Sequence, residues 1–277
     1  MRTWLDFMVK GLAGCAAAFQ FLTRLPVPVT LHYDDALFRR SVVFYPLVGT
    51  VLGVLLGCAG LLFQGWLSPG VTAAIMLVCW IAMTGGLHLD GLMDTADGIF
   101  SYRSREKMLE IMKDSRVGAM GVIACVLLLL CKWTLLQQWL PLSWESTLFA
   151  LPLATLWSRW YMVVAIACWP YARQGQEGGG GLGSFFRGLG AKHLAIHTAV
   201  ALLLSWLLVV CMREAPFSVQ GLLIVGLAVL TSGLGGAMIS RFLSSKLGGL
   251  TGDTYGAMNE VLETVLLLVL YGVIRYV

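Results

Sequence analysis

The sequence predicts an all-α integral membrane protein, a polytopic helical bundle with about seven transmembrane helices. Hydrophobic residues make up 58% of the 277 residues and charged residues only 12%, whereas a soluble domain carries about 25% charged residues. The mean hydropathy is +0.81. The apolar residues also form long runs, as membrane spans require. The composition therefore excludes a soluble enzyme, a disordered chain and a disulfide scaffold.

Seven apolar runs are long enough to cross the roughly 30 Å of hydrocarbon in a bilayer, which takes about 20 residues. They lie at 42–64, 71–88, 118–138, 147–169, 193–211, 219–243 and 258–276. Four of the polar loops carry twelve basic residues, and the three loops that alternate with them carry Arg213 alone. By the positive-inside rule we expect the N-terminus and the basic loops in the cytoplasm and the C-terminus outside.

The remaining parts of the chain complete the predicted organisation, a single membrane-embedded domain over 1–277. Residues 1–25 mix charges with a short apolar stretch, which predicts an interfacial or re-entrant helix. The seven cysteines lie in or beside apolar runs with no C-x-x-C pair, so we expect neither a zinc site nor disulfides. The glycine run at 178–183 matches a dinucleotide fingerprint only formally, because it follows no predicted strand.

Six of the fifteen carboxylates lie within 90–114, in a predicted cytoplasmic active-site segment over 89–117. Asp90, Asp94 and Asp97 stand at i, i+4 and i+7, and they share one face if 88–98 continues the preceding membrane helix. Three adjacent carboxylates repel one another unless a cation joins them, and Mg²⁺ favours a few carboxylates plus substrate phosphates. The spacing predicts a magnesium-dependent diphosphate site. The alternative is a solvated helix end with basic counter-ions.

Side chains near this cluster are further candidates. His88, one turn before the aspartates, is a candidate to orient a carboxylate or to protonate a leaving phosphate. Asp114 is a candidate fourth carboxylate, acting as ligand or base. A surface helix is predicted over 108–118, and basic residues in and before it are candidates for binding substrate phosphate, with anionic lipid as the alternative partner. These residues are Arg103, Arg105 and Arg116.

A second polar patch precedes the last predicted span. The glycine-rich segment 248–256 offers backbone N–H groups to an anion. Asp253, Glu260 and Glu263 follow at i, i+7 and i+10, and carboxylates within a membrane helix indicate function by default. Asp253 is therefore a catalytic candidate, and Thr251 and Glu260 are candidates for substrate binding. The alternative is a capped helix whose dipole favours acidic residues. Three further arginines near the inferred cytoplasmic surface bind phosphate or merely snorkel: Arg24, Arg159 and Arg173.

Four segments resemble the adenosylcobinamide-GDP ribazoletransferase family, the bacterial cobalamin synthases. They are FLTRLPVP at 21–28, FYPLVG at 44–49, GGLHLDGLMDTADGIFSYRSREKMLEIMKDSRVGAMG at 85–121 and GGLTGDTYGAMNE at 248–260. The resemblance implies a Mg²⁺-dependent enzyme of the bacterial inner membrane. It would join adenosylcobinamide-GDP to α-ribazole or its 5′-phosphate and release GMP.

The resemblance also implies a mechanism. Mg²⁺ held by Asp90, Asp94 and Asp97 bridges the diphosphate, and a ribazole phosphate or hydroxyl oxygen attacks the corrinoid-side phosphorus. Asp114 or Asp253 serves as base or second ligand. The expected partners are the two substrates, membrane lipid and other late cobalamin-pathway enzymes, and no nucleic acid.

Three other functions compete with this one. An intramembrane polyprenyl transferase also uses aspartate clusters, but it releases pyrophosphate. A CDP-alcohol phosphotransferase shares the Asp94-x-x-Asp97-Gly98 pattern, but its following Ala-Arg is replaced here by Ser101-Tyr102-Arg103. A transporter is expected to have charges near the bilayer midplane and repeated halves, and the sequence shows no repeat.

Overall fold

The computed structural model describes residues 2–142, 144–173, 189–211 and 219–276. Within these ranges the chain is helical, apart from loops and one isolated bridge between Tyr171 and Leu250. The predicted all-α class is confirmed. The helices are α1 (Arg2–Leu22), α2 (Asp35–Ser41), α3 (Tyr45–Phe63), α4 (Pro69–Thr84), α5 (Leu87–Ile99), α6 (Arg105–Ile111), α7 (Ala119–Trp139), α8 (Trp144–Cys168), α9 (Ala191–Cys211), α10 (Val219–Leu247) and α11 (Gly252–Tyr276).

The number of spans agrees with the prediction when one bent pair is counted as a single span. Six of the described helical stretches are long and apolar enough to cross a membrane, and α4 with α5 makes a seventh. The first stretch runs from Asp35 to Phe63 and so begins before the predicted residue 42. The chain is therefore a multi-pass membrane protein. The shorter apolar helix predicted at the N-terminus is α1, whose apolar part covers Met8–Leu22.

The chain turns sharply between α4 and α5. Gly85 and Gly86 both have a positive φ, of 64° and 70°, a conformation that glycine adopts without steric cost. The two helix axes are bent by 89°. The expectation that 88–98 continues the helix of 71–88 is therefore wrong, because two left-handed residues in succession end α4 at Thr84. The helical spacing of the aspartates is nevertheless kept within α5 itself.

The surface helix predicted over 108–118 is shorter than expected and begins earlier. It is α6, which ends at Ile111 and buries Met108 and Leu109. The chain leaves the helix there because Gly118 is held against α5, where its N–H donates to the Asp97 carboxylate. The downstream residues thus connect α6 to the start of α7.

Helices α3 and α8 pack with their backbones in contact. Gly49, Gly53 and Gly57 recur at every fourth residue of α3 and face α8. A methyl group at Gly53 would overlap Pro152, and one at Gly49 would overlap the carbonyl of Thr155. The Thr155 hydroxyl donates to the Gly49 carbonyl at 2.6 Å. Small residues at this spacing allow membrane helices to approach closely.

A buried ion network joins α7, α8 and α11. The Lys132 ammonium lies 2.6 Å from both Glu260 and Glu263, and the Arg159 guanidinium lies 2.7 Å from the other oxygen of Glu263. All four side chains are at most 5% exposed. Lys132 also lies 4.2 Å above the ring of Trp80. Two cations offset two carboxylates, which is the condition for keeping ionised groups within a membrane protein.

Replacing Gly53 by alanine is expected to destabilise the protein by about 1–3 kcal/mol, because the new methyl group meets backbone atoms of α8 that cannot move aside. Thermal unfolding in detergent measures the effect. Gly226→Ala on α10 is the matched control, since no atom lies within 4 Å of its added methyl group, and the higher helix propensity of alanine is expected to raise its melting temperature. Equal melting temperatures for the two variants would contradict this packing.

Lys132→Met is expected to lower the free energy of unfolding by about 3–5 kcal/mol, because it leaves two buried carboxylates facing one arginine. The double variant Lys132→Met with Glu260→Gln restores the balance of charge and is expected to recover part of the loss. Thermal unfolding of the wild type, both single variants and the double variant gives the interaction energy. A double variant no more stable than Lys132→Met would argue against charge balance as the cause.

Candidate active site

Helices α5 and α11 form the two walls of the candidate site, and glycines set their distance. A methyl group at Gly91 would lie 2.6 Å from the carbonyl oxygen of Asp253, and one at Gly256 would lie 3.1 Å from the Cα atom of His88. Glycine at both positions lets the two backbones touch. As a result, the aspartates of α5 and the first turn of α11 face the same space.

The carboxylates of the two helices act on one another electrostatically. Asp94 is half-buried, and the charges of Asp253, Asp90 and Asp97 all act on it, while Arg173 is the cation that opposes them. Within the described residues, no three His, Cys, Asp or Glu side chains are close enough together to hold a metal ion without help. Binding of Mg²⁺ by Asp90, Asp94 and Asp97 therefore stays a prediction. The structure does show an excess of negative charge around Asp94.

Asp97 has a structural partner. Its two oxygens accept hydrogen bonds from the backbone N–H groups of Gly118, at 2.7 Å, and Gly121, at 2.8 Å. A methyl group at Gly121 would lie 2.5 Å from the same carboxylate. Asp97 thus caps the N-terminus of α7, where the helix dipole favours an anion, and the two glycines make room for it.

Asp253 forms an ion pair with Arg173. The distance between guanidinium and carboxylate is 2.9 Å, and both side chains are largely buried. Arg173 is brought there by backbone hydrogen bonds of 2.8 Å that join the segment before it to Leu250. The sequence does not distinguish Arg173 from the other arginines near the inferred cytoplasmic surface, because its partner is 80 residues away in the chain.

Thr251 caps α11. Its hydroxyl accepts a hydrogen bond from the N–H of Thr254 at 3.3 Å, and the Thr254 hydroxyl accepts one from the N–H of Thr251 at 2.8 Å. This is a reciprocal capping box. The capping alternative is thus realised by Thr251 and Thr254, while Asp253 lies in the first turn. Substrate binding by Thr251 stays a prediction.

Two arginines lie over left-handed glycine turns at the edges of the site. The Arg24 Nε atom would lie 2.5 Å from a methyl group at Gly85, in the turn between α4 and α5. The Arg105 guanidinium lies over Gly248, whose φ is 70°, and donates to the carbonyl of Ala172 at 3.5 Å. Both residues are exposed. Each guanidinium is therefore positioned beside one wall of the site and reachable from solvent.

A cavity of about 100 Å³ lies between α5 and α11 and is closed by apolar side chains of α1, α3 and α8. Its polar lining includes His88, Asp90 and Asp253. His88 is 3% exposed, and its Nε2 atom has no hydrogen-bond partner among the described residues. The volume suits a few water molecules, since a substrate of drug size needs at least about 300 Å³. The catalytic role of His88 stays a prediction.

Three predicted site residues are placed elsewhere. Asp114 is partly exposed and forms a surface ion pair with Arg116, 2.6 Å long. The hydrogen bonds from the Arg116 side chain and backbone lower the pKa of Asp114 to about 2, which makes it a weak general base at neutral pH. Glu260 is buried against Lys132 in the ion network. The roles predicted for these three residues stay predictions, and the structure gives each of them an ion-pair partner.

Two cations of the ion network differ from the prediction. Lys132 is not among the predicted site residues, although a lysine within an apolar run of more than 20 residues is a signal of function. Arg159, expected near the surface, is fully buried. The glycine run at 178–183 and Arg213 lie outside the described residues.

The chain is similar to known proteins over nearly its whole length. The family model described as Cobalamin-5-phosphate synthase (CobS) matches residues 14–271. An adenosylcobinamide-GDP ribazoletransferase of Brevibacillus brevis is 40% identical over 258 residues, which cover 92% of this chain and 96% of the relative. Proteins of the same name from Desulforamulus reducens and Escherichia coli are 42% and 36% identical, with 92% of this chain covered in both cases and 95% and 97% of the relatives.

No solved structure matches the chain. The sequence matches extend over nearly the whole chain and include both walls of the candidate site. They favour a cobalamin synthase over the polyprenyl transferase, the CDP-alcohol phosphotransferase and the transporter. The chain therefore belongs to the Cobalamin-5-phosphate synthase family and is a transferase of cobalamin biosynthesis.

Proposed function

We propose that the protein transfers the adenosylcobinamide phosphate group of adenosylcobinamide-GDP to α-ribazole or its 5′-phosphate and releases GMP. The names of its relatives support these substrates. One observation carries the proposal. Asp94 on α5 lies close to Asp253 in the first turn of α11, and Arg173, which follows α8, pairs with Asp253. Several carboxylates and one cation suit a bound diphosphate whose own charge is offset by a metal ion.

The chemistry of the donor set fits Mg²⁺. Asp94 and Asp253 are hard oxygen donors, and their negative charges repel each other. Among the charges that act on Asp94, Arg173 is the one that opposes this repulsion. Mg²⁺ commonly takes one or two carboxylates and completes its shell with water and substrate phosphates. When bound, Mg²⁺ would stabilise the negative charge that builds up on the diphosphate.

In the transfer step a hydroxyl oxygen of the ribazole attacks the phosphorus on the corrinoid side. A new P–O bond forms, the bond from that phosphorus to the bridging oxygen breaks, and GMP leaves with the bridging oxygen. We assign Asp90 to accept the hydroxyl proton, because it is exposed, is one of the carboxylates that act on Asp94, and forms no ion pair with any described residue. Arg24 and Arg105, positioned on the glycine turns, would bind phosphate oxygens at the edges of the site.

We also infer that the protein lies in the bacterial inner membrane with this site at the cytoplasmic face. The twelve basic residues of the four alternating loops support this orientation. The site's two walls, α5 and the start of α11, follow or adjoin those loops. Soluble phosphorylated substrates would then reach the site from the cytoplasm.

The direct test is an assay of the purified protein in lipid nanodiscs. Adenosylcobinamide-GDP and α-ribazole 5′-phosphate are supplied with and without Mg²⁺, and released GMP is measured. We expect GMP in equimolar amount with the corrinoid product, and no turnover after chelation of the metal. Release of pyrophosphate, or turnover that survives chelation, would refute the proposed reaction.

Asp94→Asn is expected to lower kcat/KM by at least about 100-fold, because a metal ion supplies several kcal/mol of charge stabilisation to the transition state. The side chain keeps its size, so the fold is expected to stay intact. Glu110→Gln is the matched control, since Glu110 is an exposed carboxylate paired with Lys107 at the surface. A wild-type rate for Asp94→Asn at saturating Mg²⁺ would show that this carboxylate holds no essential metal.

Arg173→Gln is expected to lower kcat/KM by about 10- to 100-fold, since it removes the cation that pairs with Asp253 and opposes the charges on Asp94. Arg173→Lys, which keeps the charge but not the planar guanidinium, is expected to recover part of the rate. Steady-state GMP release as a function of donor concentration measures both variants. If Arg173→Gln and Arg173→Lys lower kcat/KM by the same factor, the positive charge of Arg173 is not the cause of the loss.

A further inference from the structure

A second cavity lies at the far end of α5, apart from the cavity that contains His88. It has a volume of about 370 Å³ and is open to the surface, within the range of roughly 300–1,000 Å³ typical of small-molecule sites. Three aromatic side chains and two cations line it. They are Phe100, Tyr102 and Phe242, with Arg103 and Lys246.

The two cations of this groove are unpaired. Within the described part of the chain, neither Arg103 nor Lys246 forms an ion pair, whereas the nearby Lys107 and Arg116 pair with Glu110 and Asp114. Cations that share a groove repel each other, and a bound anion would remove that repulsion. The groove therefore has the charge of an anion site.

The turn that carries Tyr102 is held in a strained conformation. Tyr102 has a φ of 53°, which is unfavourable for a residue with a bulky side chain. The Ser101 hydroxyl donates to the Gly98 carbonyl at 2.6 Å and accepts from the Arg103 N–H at 3.4 Å, so the turn is fixed on both sides of the tyrosine. Tyr102 as a whole residue is 83% exposed. The chain thus holds a large aromatic ring in solvent beside a cation, at the expense of backbone strain.

We propose that this groove binds a nucleoside 5′-phosphate, with its flat base stacked on the aromatic side chains and its phosphate bound by Arg103 and Lys246. Base stacking on aromatic rings beside a cation is a general mode of nucleotide binding. This inference rests on the proposed function, in which both substrates contain such a group. One is the GMP half of the donor, and the other is α-ribazole 5′-phosphate.

The position of the groove agrees with that role. Phe100 is the residue that follows the end of α5, six residues after Asp94. Six residues correspond to about 9 Å of helical rise. The groove therefore begins a short distance along the same helix from the carboxylates that face Asp253.

Equilibrium dialysis of the full-length protein in phosphatidylcholine nanodiscs tests the groove directly. The ligands are GMP and α-ribazole 5′-phosphate, and the variants are Tyr102→Asn and Lys246→Gln. Asparagine tolerates a positive φ, so the first variant removes the ring without new strain. Lys107→Gln is the control for loss of an exposed lysine, and Tyr102→Phe is the control that keeps the ring.

We expect Kd for one of the two ligands to rise by about tenfold or more in Tyr102→Asn and in Lys246→Gln, with Tyr102→Phe and Lys107→Gln unchanged. The ligand that responds identifies the source of the nucleotide. The KM of the corresponding substrate is expected to rise by a similar factor, with little change in kcat.

Two results would overturn the inference. One is unchanged Kd and KM values for both ligands in both variants. The other is an unchanged Kd together with activity that depends on added phosphatidylglycerol in the wild type and not in Lys246→Gln, which would identify a lipid headgroup site. If the wild type releases no GMP in the transfer assay, the proposed function fails. The dialysis still decides whether the groove binds nucleotides.

Discussion

The pairing of Lys132 and Arg159 with Glu260 and Glu263 is the interaction on which the rest of the structure depends. An unpaired charge within a membrane protein costs several kcal/mol, so these four side chains fix α7, α8 and α11 in one register relative to one another. The first turn of α11 lies two turns from Glu260 and carries Asp253. The position of the candidate site therefore follows from ion pairs in the core of the bundle.

Glycines allow α5 and α11 to form the candidate site. At Gly85 and Gly86 the left-handed backbone turns α5 away from α4, so that the aspartates lie beside α11 instead of continuing along the axis of α4. At Gly91 and Gly256 the absence of a side chain lets α5 and α11 touch. Larger residues at these four positions would keep the carboxylates of the two helices apart.

The core and the site differ in their balance of charge. In the core two cations meet two carboxylates, and each charge has a partner within hydrogen-bond distance. Around Asp94 three other carboxylates act against the single opposing charge of Arg173. A balanced cluster stabilises the fold, whereas an unbalanced cluster requires a ligand that brings positive charge, as a magnesium diphosphate does.

The sequence by itself determined the all-helical membrane class, six of the seven predicted spans and the helical spacing of Asp90, Asp94 and Asp97, because apolar runs and i, i+4 spacings are local properties of the chain. Only the tertiary structure decided the direction of α5, the use of Asp97 as a cap for α7, and the pairing of Arg173 with Asp253 and of Lys132 with Glu260. Those pairs lie 80 and 128 residues apart. Whether a buried charge serves the fold or the chemistry depends on its partner in space, and a single sequence does not contain that information.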